Sequence, residues 1–229
     1  MTQLLLAVAV FLLTHSLPAA RPLRSRLIAT VGRGPYMAGY SALSLLVLAW
    51  VGWAYATAPY VPVRDYVGAT AWVPLVLMPV ACILGVAALT QPNPLSVAVR
   101  SRGFDPDRPG VTAVVRHPLI WAFILWAGSH LIANEDLASL ILFGLLLALS
   151  LAGPLAVDAK ARRGLGEAEW RRLAARTSAW PLAAPLTGRV RWRDAWPGWV
   201  PVAAGLLLYV ALLHLHGPVI GVVPWAGLS

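Results

Sequence analysis

The sequence predicts an all-α, polytopic membrane helical bundle with about six transmembrane helices and both termini outside. Three observations predict it. The chain is 59% hydrophobic and only 12% charged, with a mean hydropathy of +0.71, too apolar for an ordinary soluble domain. Six apolar stretches approach the ~20 residues that cross ~30 Å of hydrocarbon. All but one of the 18 Lys and Arg fall in residues 21–33, 100–116 and 160–193. These segments are alternate loops of a six-span chain, and the positive-inside rule places all three in the cytoplasm.

The first stretch, residues 2–18, has no basic residue before it, and its charge follows at Arg21, Arg24 and Arg26. It therefore reads as a retained first helix despite the signal-peptide-like Pro18-Ala19-Ala20. The second, residues 35–58, leads into the outward loop that holds the one stray base, Arg64, beside Asp65. The third, residues 68–89, carries the lone Cys82. One thiol excludes an internal disulfide framework and a multi-cysteine metal site, leaving a packing role. The fourth, residues 117–133, is short like the first, so both stand nearly upright. It opens on Arg116-His117-Pro118, where proline in the first helical turn loses no hydrogen bond. The fifth, residues 137–157, has the most uniform apolar centre, Leu140 to Leu147, and the sixth covers residues 199–217.

The one long loop, residues 160–193, contains a helix signal from Gly166 to Arg176, with Glu167 and Glu169 early and Arg171, Arg172 and Arg176 late, as the helix dipole favours. Trp170, Leu173, Ala174 and Thr177 share one side, the pattern of a helix lying on the cytoplasmic membrane surface; a solvated connector is the alternative. No internal repeat or soluble segment interrupts the chain, so residues 1–229 read as a single integral membrane domain. The net charge of +9 orients the protein and touches anionic membrane lipids rather than nucleic acid. A single lysine, Lys160, among 18 basic residues, together with abundant alanine, hints at a GC-rich bacterial genome. The expected location is thus the bacterial inner (cytoplasmic) membrane, as a multi-pass protein.

Histidine in a membrane span is costly without a partner, which makes each one a site candidate. The chain has five: His15, His117, His130, His214 and His216. Imidazole offers a lone pair to transition metals and is the common axial ligand of haem. His15 shares a helical face with Val8, Phe11 and Leu12; His130 shares one with Phe123, Trp126, Ala127 and Asn134. At 100° and 1.5 Å per residue, His117 and His130 point roughly 140° apart and stand ~20 Å apart along the axis, so they cannot share one metal. His214 and His216 diverge by about 160°, so at most one faces the bundle. His15, ~9 Å from the cytoplasmic boundary, is nearer in depth to His117 than to His130. Structural alternatives stand beside each reading. His130 bonds Ser129, Asn134 or a carbonyl; His15 bonds locally; His214 and His216 are interfacial; His117 is interfacial, with Arg116 meeting lipid phosphate.

Several motifs together resemble the NnrU family of bacterial membrane proteins. They are Thr14-His15-Ser16, Thr112 through Arg116-His117-Pro118, Trp126-Ala127-Gly128-Ser129-His130, Asn134 through Leu140, Arg176 through Leu182, and His216-Gly217-Pro218 with Pro224-Trp225. The resemblance covers nearly the whole chain and implies a redox-linked role in nitrite and nitric oxide (denitrification) metabolism. The same domain occurs in 15-cis-zeta-carotene isomerase, a membrane haem b enzyme that isomerises a polyene. Its haem-iron ligands match His15 and His130, which implies haem b here and a haem-dependent isomerase or redox enzyme acting on a lipophilic small molecule or a nitrogen oxide. Where the isomerase has a cysteine three positions before the second histidine, this chain has Ala127. A more distant similarity, to isoprenylcysteine carboxyl methyltransferases, implies S-adenosylmethionine binding at Arg116 and His117 near the cytoplasmic face. The adjacent carboxylate pair of those enzymes is replaced by Asp158-Ala159-Lys160, and Asp158 and Arg116 could bind a polar group or each other. The non-catalytic alternative is an assembly or regulatory partner of a respiratory complex.

Overall fold

The computed structural model describes residues 1–16, 21–65 and 67–225, so Leu17 and Pro18 at the end of the first span and the Pro18-Ala19-Ala20 motif lie outside the described residues. Ten α-helices form among them: α1 Thr2–Ser16, α2 Arg21–Val31, α3 Arg33–Ala56, α4 Trp72–Thr90, α5 Val111–Val114, α6 Pro118–Ala133, α7 Leu137–Leu165, α8 Glu167–Ala174, α9 Ala183–Leu186 and α10 Trp199–Ile220. The chain is an all-α polytopic membrane protein. Among the described residues four helices are long and apolar enough to cross a bilayer: α3, the helical segment Gly68–Thr90 that includes α4, α7 and α10. The apolar helices α1 and α6 are shorter, at 15 and 16 residues, or ~24 Å of rise against ~30 Å of hydrocarbon.

Helix boundaries follow local chemistry. Gly32 (φ 85), Gly166 (φ 82) and Gly198 (φ 88) stand immediately before α3, α8 and α10 in a backbone region that a Cβ disfavours. At α6, Pro118 excludes His117 from helical geometry, and His117 becomes the N-cap with φ −116 and ψ 65.

Two compact units result. The first comprises Met1–Arg64 and Asp136–Leu142. Its core joins α1, α3 and the start of α7 through Leu4, Ala7, Val51, Ala54 and Ala138. The Tyr55 hydroxyl lies 2.9 Å from Ser139 Oγ, and Asp136 Oδ1 accepts the Ser139 amide at 3.0 Å, capping the first turn of α7.

The second unit comprises Asp65–Glu135 and Phe143–Ser229. Small residues let its helices approach closely, as packing between membrane helices favours. Ala81, Leu84 and Ala87 of α4 meet Ala122 of α6 together with Val111 and Val115. A Cβ on Gly205 of α10 would stand 2.6 Å from Ile83 Cα, so α4 and α10 touch backbone to backbone there. Gln91, at the end of α4, donates from Nε2 to the Pro197 carbonyl at 2.5 Å and accepts the Val111 amide on Oε1 at 3.2 Å.

The loop helix expected from Gly166 to Arg176 forms as α8, but its apolar side does not face a membrane surface. Trp170, Leu173 and Ala174 are buried with Leu95, and Phe104, Ala161 and Leu165 pack against them. The amphipathic pattern was satisfied by the chain's own loop.

Candidate functional site

The polar centre of the second unit is assembled from three loop stretches distant in sequence and from Asp158 of α7. Asn93 folds the first: its Oδ1 accepts the Leu95 amide at 3.0 Å, an Asx turn, and its Nδ2 donates to the Arg116 carbonyl at 2.9 Å. Ser96 is thereby set beside the second stretch, where α5 gives way to the extended Val115 and then to Arg116. The Arg116 amide donates to the Ser178 carbonyl at 2.7 Å, bringing in the third.

Arg116 meets chain groups on several sides. Nη1 donates to Asp158 Oδ2 at 2.5 Å, Nε donates to Thr177 Oγ1 at 2.8 Å, and Cζ lies 5.0 Å above the Trp170 ring. Thr177 passes its own hydroxyl to the Ala174 carbonyl at 2.9 Å. On the Trp170 ring also rests Arg162, its Cζ at 3.8 Å, a cation–π contact. Burial pulls the Arg116 pKa below the usual arginine value, with Asp158 opposing that shift; the guanidinium stays charged at neutral pH.

His117 is 0% exposed. Its Nδ1 is 2.9 Å from Ser96 Oγ and its Nε2 3.2 Å from Asp158 Oδ1. The second approach lies off the angle of a hydrogen bond, which leaves His117 Nε2 and Asp158 Oδ1 as buried polar atoms without an aligned partner. The side chains of Arg116 and Asp158 keep only 10% and 17% of their surface. The alternative in which Arg116 meets lipid phosphate is therefore corrected: α7 supplies the counter-charge through Asp158.

His130 has different surroundings. Its Nδ1 donates to the Trp126 carbonyl one turn back at 2.8 Å. Its ring centroid is 5.1 Å from Phe143, 6.0 Å from Trp126 and 6.4 Å from His216. His216 thus is the member of its pair that turns toward α6, while His214 bonds the Val210 carbonyl and meets Trp225. In the first unit, His15 stacks on Phe11 with centroids 5.5 Å apart.

Haem b on His15 and His130 is not supported and is corrected here. Among the described residues no group of three or more His, Cys, Asp and Glu stands together as a metal site. The one cysteine, Cys82, is buried and free. The two rings pack instead on the chain's own aromatic side chains, His15 on Phe11 and His130 between Phe143 and Trp126.

Of the expected site residues, Arg116 and His117 are brought together, with Asp158 between them. The sequence reading missed Asn93, Ser96, Trp170 and Thr177 as parts of one centre. Only Asn93-Pro94 carried a local signal, that of a turn. No curated protein and no solved structure matches the chain. The family model described as NnrU protein matches residues 3–224, and over that span, nearly its full length, the chain belongs to the NnrU family.

Proposed function

We propose that this chain is a multi-pass protein of the bacterial cytoplasmic membrane that serves redox-linked nitrite and nitric oxide metabolism as an assembly or regulatory partner of a respiratory complex. In this reading α1 and α6 join the four longer helices to make six spans, both termini lie outside, and the polar centre lies at the cytoplasmic face. The distribution of Lys and Arg supports that orientation, and the family's association with nitrogen-oxide metabolism supports the process.

One observation carries the non-catalytic part: Arg116 is engaged by Asp158, Thr177 and Trp170 of its own chain. A ligand such as S-adenosylmethionine that needed this guanidinium would first have to open a nearly buried ion pair. Uncoupling such a pair costs ~3 kcal/mol or more, about a hundredfold in affinity before any new contact is made. Arg116 and His117 accordingly hold loops and helix together.

The test is mild cross-linking in native membranes followed by purification under denitrifying growth. A respiratory oxidoreductase recovered with the chain is the expected result, and a reproducibly solitary protein would overturn the reading. Calorimetry with S-adenosylmethionine is expected to show no saturable heat. Saturable binding abolished by Arg116→Met would instead establish the methyltransferase-like alternative. Reporter fusions at the two termini and in residues 100–116 test the topology, with opposite sides expected.

A further inference from the structure

We infer that the segment from Trp180 to Trp196 lies in the interfacial layer of an anionic bilayer, so that this loop, rather than α8, is the membrane-surface element of the second unit. Its burial is inverted relative to that of a water-facing loop. The side chains turned inward are small: Ala184, Val190 and Ala195 close on Ala113. The large apolar ones turn outward, with Trp180 72% and Leu186 69% exposed, and with Leu182, Trp192 and Trp196 exposed as well. Burying small groups while presenting tryptophan and leucine to water is unfavourable; presenting them to the headgroup boundary is favourable, because indole places an apolar body beside a polar tip.

The display is held in place. The Ser178 carbonyl accepts the Arg116 amide, the Ala179 carbonyl accepts Trp121 Nε1 at 2.9 Å, and the Leu182 amide donates to the Val114 carbonyl at 2.7 Å. Further along, the Asp194 carbonyl accepts the Gly110 amide at 3.0 Å. Leu182 takes φ 61, a left-handed conformation that is costly for a leucine, and keeps its side chain outward. These bonds hold the outward groups in fixed positions.

Two observations identify the occupant as an anionic lipid surface. Exposed Arg191 and Arg193 flank Trp192, and bases interleaved with interfacial aromatics complement lipid phosphates. The segment also runs directly into Trp199, the first residue of the candidate span α10, with Trp196 and Trp199 in edge contact at 5.0 Å. The inference is independent of the partner reading above, because it concerns lipid contact alone.

Spin labels at Leu186→Cys and Trp192→Cys, in a Cys82→Ala background, test it in nanodiscs with and without phosphatidylglycerol, with Arg171→Cys on exposed α8 as the aqueous reference. The expected ratio of oxygen to nickel-chelate accessibility is several-fold higher at 186 and 192 than at 171. Arg191→Gln with Arg193→Gln should lower it in anionic discs to the level of phosphatidylcholine discs. Accessibility at 186 and 192 equal to that at 171 would overturn the inference. So would exclusion of both reagents, which would mean a protein cover. If the cysteine background fails to fold, brominated-lipid quenching of the unsubstituted chain is compared with Trp180→Phe and Trp192→Phe. A loss of quenchable emission is expected, and identical quenching would overturn the inference.

Discussion

Around Arg116, distant loops and Asp158 of α7 exchange charges and hydrogen bonds across 61 and 42 residues of sequence, whereas at His130 the imidazole turns back to its own helix and meets mostly ring surface. Both lie in the second unit. Their contrast reflects what each position can recruit. Arg116 precedes α6 in a loop region where other loops supply carbonyls and hydroxyls. His130 lies inside an apolar helix, where the nearest acceptor is the carbonyl four residues back and the remaining neighbours are aromatic. The first arrangement is cooperative and depends on every member; the second is local and tolerant of changes in its surroundings.

The contrast breaks most visibly at Asp158. Asp158→Ala leaves the Arg116 charge nearly buried and unpaired, and is expected to cost about 3–5 kcal/mol, measured as thermal unfolding of the protein in detergent. Replacing both partners, Arg116→Met with Asp158→Leu, should recover most of that loss, because an apolar pair leaves no charge stranded. A double variant as unstable as the single one would show that the charges themselves are not what joins α7 to the loops.

Helix approach comes next in size. Gly205→Ala must move α10 off α4, because its Cβ would meet the Ile83 backbone at 2.6 Å and 2.8 Å, an overpacking cost of about 1–3 kcal/mol. Histidine substitution then compares the two regions directly. His117→Phe removes the hydrogen-bond partner of Ser96 and the close approach to Asp158, and should lose about 1–3 kcal/mol. His130→Phe keeps its ring contacts and gives up mainly a bond within its own helix, so it should lose less than about 1.5 kcal/mol. Equal losses at the two positions would erase the distinction between a cooperative and a local arrangement.

Hydropathy located the apolar helices, since each of the six stretches expected holds a helix among the described residues, with Thr57, Ala58 and His117 falling just outside the helix ends. The start of α6 was legible because Pro118 dictates it, and α8 because Gly166 and the order of its charges mark both ends. The cover of α8 was not legible. An amphipathic period says that one face is buried and is silent on whether lipid or protein buries it, and Leu95 and Phe104 come from a loop without periodicity. The pairing of Asp158 with Arg116 was legible as one of two outcomes, binding a polar group or each other, and the structure takes the second. Ser96 carries no spacing signal, and the helical spacing that put Thr177 on the side of Trp170 gave no hint of Arg116, because both partners are set by tertiary folding. The angular argument at His214 and His216 correctly limited the inward residue to one, but helical angle alone could not select His130 as its neighbour.

The smallest expected effect separates these buried centres from surface charge. On α8, Arg172 donates to both carboxylate oxygens of Glu169 at 2.8 Å, and this hydrogen bonding holds the Glu169 pKa below the usual glutamate value. A depressed carboxylate pKa contributes stability that is fully present above its unfolded value, near 4.5, and is lost as pH falls through the lower folded value. Glu169→Gln should therefore be slightly less stable than the parent at pH 7, and the two should converge as pH falls through the lowered folded value and the parent carboxylate becomes protonated as well. Because both side chains are exposed, added salt should shrink the pH 7 difference further. A gap that persists unchanged in acid would mean that Glu169 acts through packing rather than through its charge.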